Sequence, residues 1–159
     1  MSPRAAQMTM GSIVLLAAWL GAAVFIAAIV APAAFAVLPT RALAGTLVGR
    51  ALPALFTTGI AIAVAVLILH QVVAAGRLVG ASSAIFLIAI GAASVVALRI
   101  SSARTALGVP IDSLDIADPR RIAFGRLHGL SVLLMGIGML GALAALVALS
   151  RHLLSRSTA

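Results

Sequence analysis

Residues 5–40, 51–76, 78–98 and 127–150 carry no Asp, Glu, Lys or Arg, giving four charge-free runs of 36, 26, 21 and 24 residues. A helix needs about 20 mostly apolar residues to cross ~30 Å of hydrocarbon. Each run therefore holds one span, and none has room for two spans with a turn between them. Backbone N–H and C=O groups in lipid must be satisfied within the protein, which leaves helices or closed barrels. These runs lack the period-two alternation of barrel strands. The expected fold class is all-α: an integral membrane four-helix bundle, one transmembrane domain over residues 1–159.

Composition supports this and excludes the rivals. The chain is 64% hydrophobic and 9% charged, against about 45–50% apolar and ~25% charged in a typical soluble domain. Disordered chains are poor in apolar residues, so disorder is excluded as well. All eleven basic residues are Arg and the acids are Asp112, Asp115 and Asp118, for a formal charge of +8. The arginines flank the apolar runs, where they meet lipid phosphates and set orientation. A basic stripe interleaved with aromatics is missing, so no nucleic-acid partner is expected. Without Cys there is no disulfide, thiolate metal site or cysteine nucleophile. Tyr, Lys and Glu are absent too, which removes several usual general acids and bases.

The four spans are expected at about 11–38, 41–75, 80–99 and 119–150. Pro32 should kink the first and Pro53 should bend the second, because proline removes a backbone donor and crowds the preceding turn. Thr40 is a candidate N-cap for the second helix. Asp118-Pro119 is the start signal of the fourth. Gly108-Val-Pro110 reads as a turn in the one long connection, 100–117. Ala34-Phe35-Ala36 imitates a cleavage site, but the apolar stretch Ile13–Ala31 is longer than a signal-peptide core, so it is read as a retained span.

Four crossings put both termini on one side. Arg4, Arg77, Arg151 and Arg156 fall there; Arg41, Arg50, Arg99, Arg104, Arg120, Arg121 and Arg126 fall at the other end. The positive-inside rule then predicts cytoplasmic 1–2 and 3–4 connections and termini on the outer side.

Helices in lipid associate through close packing and a few polar contacts. Gly45/Gly49, Gly76/Gly80 and Gly125/Gly129 have the spacing for close approach, and Gly91, Gly136, Gly138 and Gly141 add small residues. Trp19 lies mid-run and is expected to pack rather than anchor at an interface.

Candidate chemistry is sparse. His128, Ser131, Met135 and Met139 follow one another at helical spacing. Imidazole and thioether suit soft or borderline metals, so His128, Met135 and Met139 are the candidate metal ligands. The competing reading has Met filling gaps between helices. His70 is the candidate cofactor ligand, for a b-type haem or another pigment. It cannot share one iron with His128, since helix rise separates the two by roughly 20 Å. Asp112, Asp115 and Asp118 either bind a hard cation or pair with neighbouring arginines. Nothing resembles a catalytic triad, so no enzyme activity and no required cofactor are expected.

Several short motifs fall in a familiar order: Trp19-Leu-Gly21, Ala31-Pro32-Ala-Ala-Phe35, Leu38-Pro39, Ala44-Gly45-Thr-Leu-Val-Gly49-Arg50 with Phe56, and Phe124-Gly-Arg-Leu-His128-Gly-Leu-Ser131. Together they resemble bacterial membrane proteins of unknown function related to human transmembrane protein 205. The resemblance implies a four-span bundle in the bacterial inner membrane and marks Trp19, Pro32, Phe35, Gly45, Arg50, Arg126 and His128. A functional mouth formed by Arg50, Arg126 and His128 is the leading expectation, serving small-solute or metal transport or a membrane-stress role. The rivals are an accessory subunit of a larger respiratory or photosynthetic complex, and a haem, pigment or metal carrier.

Overall fold

The computed structural model describes residues 2–73 and 75–157, with side chains described up to residue 155. Helix α1 spans Pro3–Phe25 and runs through a π-helical turn, Ile26–Val30, into α2, Ala31–Val37; α3 spans Arg41–Val73, α4 Arg77–Leu107 and α5 Pro119–Ser157. There is no β-strand among the described residues. Four continuous helical segments are long and apolar enough to cross a membrane: Pro3–Val37, Arg41–Val73, Arg77–Leu107 and Pro119–Ser155. The protein is an all-α, multi-pass membrane protein set in a lipid bilayer.

The second, third and fourth spans, of 33, 31 and 37 residues, are longer than their charge-free runs, because a helix needs no apolar side chain once it leaves the hydrocarbon. The third span continues past Arg99 to Leu107 and stops at Gly108, whose left-handed φ of 64° is the usual helix-ending conformation. The expected caps are present. The Thr40 hydroxyl accepts from the Leu43 N–H at 3.2 Å, and the Asp118 carboxylate accepts from the Arg120 N–H at 2.8 Å. Where the kink is expected, at Pro32, the helix departs from regular α geometry. Pro32 lacks an N–H and its ring crowds the carbonyl four residues back, and the chain answers with the π-helical turn at Ile26–Val30 immediately before it. Pro53 lies inside an unbroken α3.

In the bundle α4 packs most extensively on α5, then α3 on α4, with α1 against both α5 and α3. This makes a four-cornered ring whose centre is crossed from α1 to α4 by Trp19 and Phe86, ring centroids 4.6 Å apart. Trp19 Nε1 donates to the Leu55 carbonyl oxygen at 2.8 Å, so the indole is a packing residue with its one donor satisfied. Small residues set the α4–α5 spacing. A Cβ on Gly141 would stand 2.9 Å from the Phe86 backbone nitrogen, and one on Gly138 2.5 Å from Ile90 Cδ1. Met135 and Met139 pack against the same core.

Candidate functional site

The α2–α3 turn and the α4–α5 connection lie at one end of the bundle, and between them is a crevice of about 290 Å³. Its walls come from five places: Phe35 of α2, Arg41, Ala42 and Thr46 of α3, Arg104 and Leu107 of α4, residues 109–112 of the connection, and Phe124 and His128 of α5.

Arg104 organises this end. Its Nη1 donates to the Gly45 carbonyl oxygen at 3.0 Å, and its guanidinium lies 5.3 Å from the centroid of the Phe124 ring. One side chain thus joins α3, α4 and α5. It can do so because α3 has glycine where the guanidinium rests: a Cβ at Gly45 would be 2.6 Å from Nη2, and one at Gly49 3.7 Å from Nη1. The Gly45/Gly49 pair therefore seats an arginine head, not another helix backbone. Gly80 takes the ring of His70, with Nε2 2.7 Å from the position of a Cβ, and nothing lies within 4 Å of Gly125 or Gly129. The close approach of α5 to α4 is made instead by Gly138 and Gly141, two small residues outside the three spaced pairs.

The connection is folded rather than slack. A 3₁₀ turn covers Ile111–Ser113, and Arg121 Nη1 donates to the Leu114 carbonyl oxygen at 2.7 Å. The three aspartates have separate roles. Asp118 pairs with Arg120 at 2.7 Å, Asp115 accepts from the Ala117 N–H at 2.7 Å, and Asp112 lines the crevice. Arg120 holds the Asp118 carboxyl down, from 3.8 to about 2. No group of three or more His, Asp or Glu side chains able to hold a metal ion occurs among the described residues.

The structure sorts the sequence candidates by place. His128 lines the crevice. Arg50 and Arg126 are exposed and lie outside its lining, and Arg41 and Arg104 supply its positive charge instead. Met135 and Met139 are half-buried against the core, and Met135 is about 10 Å of helix rise beyond His128. His70 sits at the far end of the bundle, its Nδ1 buried without a hydrogen-bond partner among the described residues, as is the Ser83 hydroxyl one turn from Gly80. Arg104 was not singled out by sequence reasoning, which counted it only as an orienting charge. The signal available was Gly108: a glycine at the helix-ending position extends α4 two turns past Arg99 and puts Arg104 on it.

No curated protein and no solved structure matches this chain. One family model does, described as a domain of unknown function (DUF4149), over residues 14–107. Those residues run from α1 to the end of α4 and include Trp19, Gly45, Gly59, His70 and Arg104. Since the match takes in more than half of the 159 residues and three of the four spans, the chain belongs to the DUF4149 family.

Proposed function

We propose that this protein is a non-enzymatic membrane protein that handles a small anionic solute at the connection-end crevice, in transport or in a response to membrane stress. The observation that supports this reading best is the convergence of Arg41, Arg104 and His128, from three different helices, on one crevice. Its donors are two guanidinium groups and one imidazole. Such a set binds and orients an anion. The crevice volume of about 290 Å³ is at the small end of the roughly 300–1,000 Å³ range for ligand pockets, which suits a small solute and not a macrocycle.

The same proposal places the chain among bacterial inner-membrane proteins related to human transmembrane protein 205, with both termini outside. The seven arginines of the connection end against four at the terminal end support that orientation. The natural sequence has no Cys, so single-cysteine variants give a clean test. Ser113→Cys is expected to react with an impermeant maleimide only in permeabilised cells, and Ser2→Cys in intact ones; the reverse pattern overturns the orientation.

The solute-handling reading is tested by growth. A deletion strain carrying the wild-type gene, Arg41→Gln or His128→Gln is grown against a panel of toxic anions and metal salts. The wild type is expected to change tolerance of at least one, and both variants to lose that change with protein levels intact. Variants that behave as wild type overturn the reading.

A second reading, accessory subunit of a larger membrane complex, is supported by the first span. Only 17% of its most apolar window is buried inside the bundle, against 33–39% for the other three. Co-migration with a larger assembly after mild detergent extraction supports it, and migration alone counts against it.

A further inference from the structure

We propose that the ligand of the connection-end crevice is a phosphodiester, held by Arg41 and Arg104 with His128 as an additional donor; this rests on the reading of that crevice as an anion site. Three observations lead there. The first is unspent charge. Arg41 and Arg104 form no ion pair among the described residues, although the Asp112 carboxylate lines the same crevice. Arg104 is half-buried, and one of its five N–H donors is used, on the Gly45 carbonyl. A partly desolvated guanidinium is costly unless its donors are satisfied, and a two-oxygen acceptor matches its planar fork.

The second is the charge count. Two guanidinium groups and one carboxylate give the lining a formal charge of +1, His128 left out of the count. A phosphodiester carries a single negative charge and balances it. Inorganic phosphate or a phosphomonoester carries about −1.5 to −2 at neutral pH and leaves a deficit.

The third is the other wall. Phe35, Val109, Ile111 and Phe124 add apolar groups to the lining beside the basic ones, Phe124 lying against the Arg104 guanidinium. Phe35, Val109 and Ile116 of the adjoining connection are largely exposed, as expected for groups that sit against the acyl boundary of the headgroup layer. A phosphodiester with an apolar extension suits a lining that carries both kinds of group. The chemistry is shared by a lipid headgroup and by a water-soluble glycerophosphodiester.

The experiment is calorimetric titration of the full-length protein in maltoside micelles with three probes: dioctanoyl phosphatidylglycerol, acyl-free glycerophosphoglycerol, and uncharged dioctanoylglycerol. The phosphate-bearing lipid is expected to bind at least about tenfold more tightly than dioctanoylglycerol. Arg41→Gln is expected to weaken it at least fivefold, in keeping with the loss of a charge-assisted hydrogen bond. Arg41 has an exposed side chain with no partner among the described residues, so this variant keeps its fold where an Arg104 variant can lose α3–α4 contact. Glycerophosphoglycerol binding as tightly as the lipid assigns a soluble solute; binding at least tenfold weaker assigns a lipid headgroup. Dioctanoylglycerol binding as tightly as phosphatidylglycerol, or Arg41→Gln binding like the wild type, overturns the proposal. Growth phenotypes lost in Arg41→Gln without phosphodiester binding would remove the ligand assignment and leave the solute-handling reading standing.

Discussion

Arg104 reaches from the last turns of α4 to the Gly45 carbonyl oxygen at the start of α3, donating from Nη1 at 3.0 Å. The two residues are far apart in sequence, and the bond closes the connection end of the bundle. Its acceptor already serves the α3 ladder, so the guanidinium uses the second lone pair of a carbonyl. Arg104→Leu is expected to cost about 1.5–3 kcal/mol, the range for hydrogen bonds to charged groups. Gly45→Ala puts a methyl 2.6 Å from Nη2; the head of a flexible side chain moves aside, and the cost is smaller. The double variant should be no less stable than Arg104→Leu alone, because both changes act on one contact. Unfolding by denaturing detergent, followed by circular dichroism, measures all three; strict additivity counts against the contact.

The centre of the bundle has an optical reporter. Trp19 is the one tryptophan of the chain and is 3% exposed. Trp19→Phe keeps an aromatic ring near Phe86 but loses the donor to Leu55, and should cost about 1 kcal/mol. Gly59→Ala places a Cβ 2.7 Å from Nε1 and 2.9 Å from Cε2 of the indole. It is expected to displace the ring and shift the fluorescence emission. An unchanged spectrum in Gly59→Ala would show that the indole does not rest on that glycine.

Two glycines of α5 should respond differently to the same change. Gly141→Ala drives a methyl toward backbone, 2.9 Å from the Phe86 nitrogen and 3.1 Å from the Ser82 carbonyl oxygen. Backbone cannot step aside as a side chain can, so α4 and α5 must separate, at about 1–3 kcal/mol. Gly129→Ala meets nothing within 4 Å and should cost nothing, since Ala is the better helix former. Equal effects in thermal unfolding would contradict the packing of α4 on α5.

Asp118 predicts a pH dependence at the start of α5. Its carboxylate accepts from the Arg120 backbone and pairs with the Arg120 side chain, which lowers its pKa from 3.8 to about 2. A carboxyl with a folded pKa below its unfolded value stabilises the fold above that unfolded value, and the contribution fades as the folded pKa is approached from above. The first turn of α5 is therefore expected to be fully capped above about pH 4, and to fray progressively between 3.8 and about 2. Amide exchange at Arg120, corrected for its intrinsic rate, should show this in the wild type. Asp118→Ala should show a frayed turn at neutral pH and no further change on acidification.

The arrangement of charge along the chain is enough to determine the number of crossings, the helical class, the caps at Thr40 and Asp118, and the separation of His70 from His128. These follow from local chemistry: a run without ionised groups is stable in hydrocarbon, and a side-chain acceptor before a helix satisfies its free N–H groups. Packing decided the rest. Gly45, Gly80 and Gly141 look alike in sequence, yet they receive a guanidinium, an imidazole and a backbone respectively, because which element faces a glycine depends on how four helices are rotated against one another. The crevice follows the same logic. Arg41 and Arg50 are the two arginines of α3, and only the tertiary fold turns Arg41 toward Arg104 and His128 and leaves Arg50 outside the crevice lining.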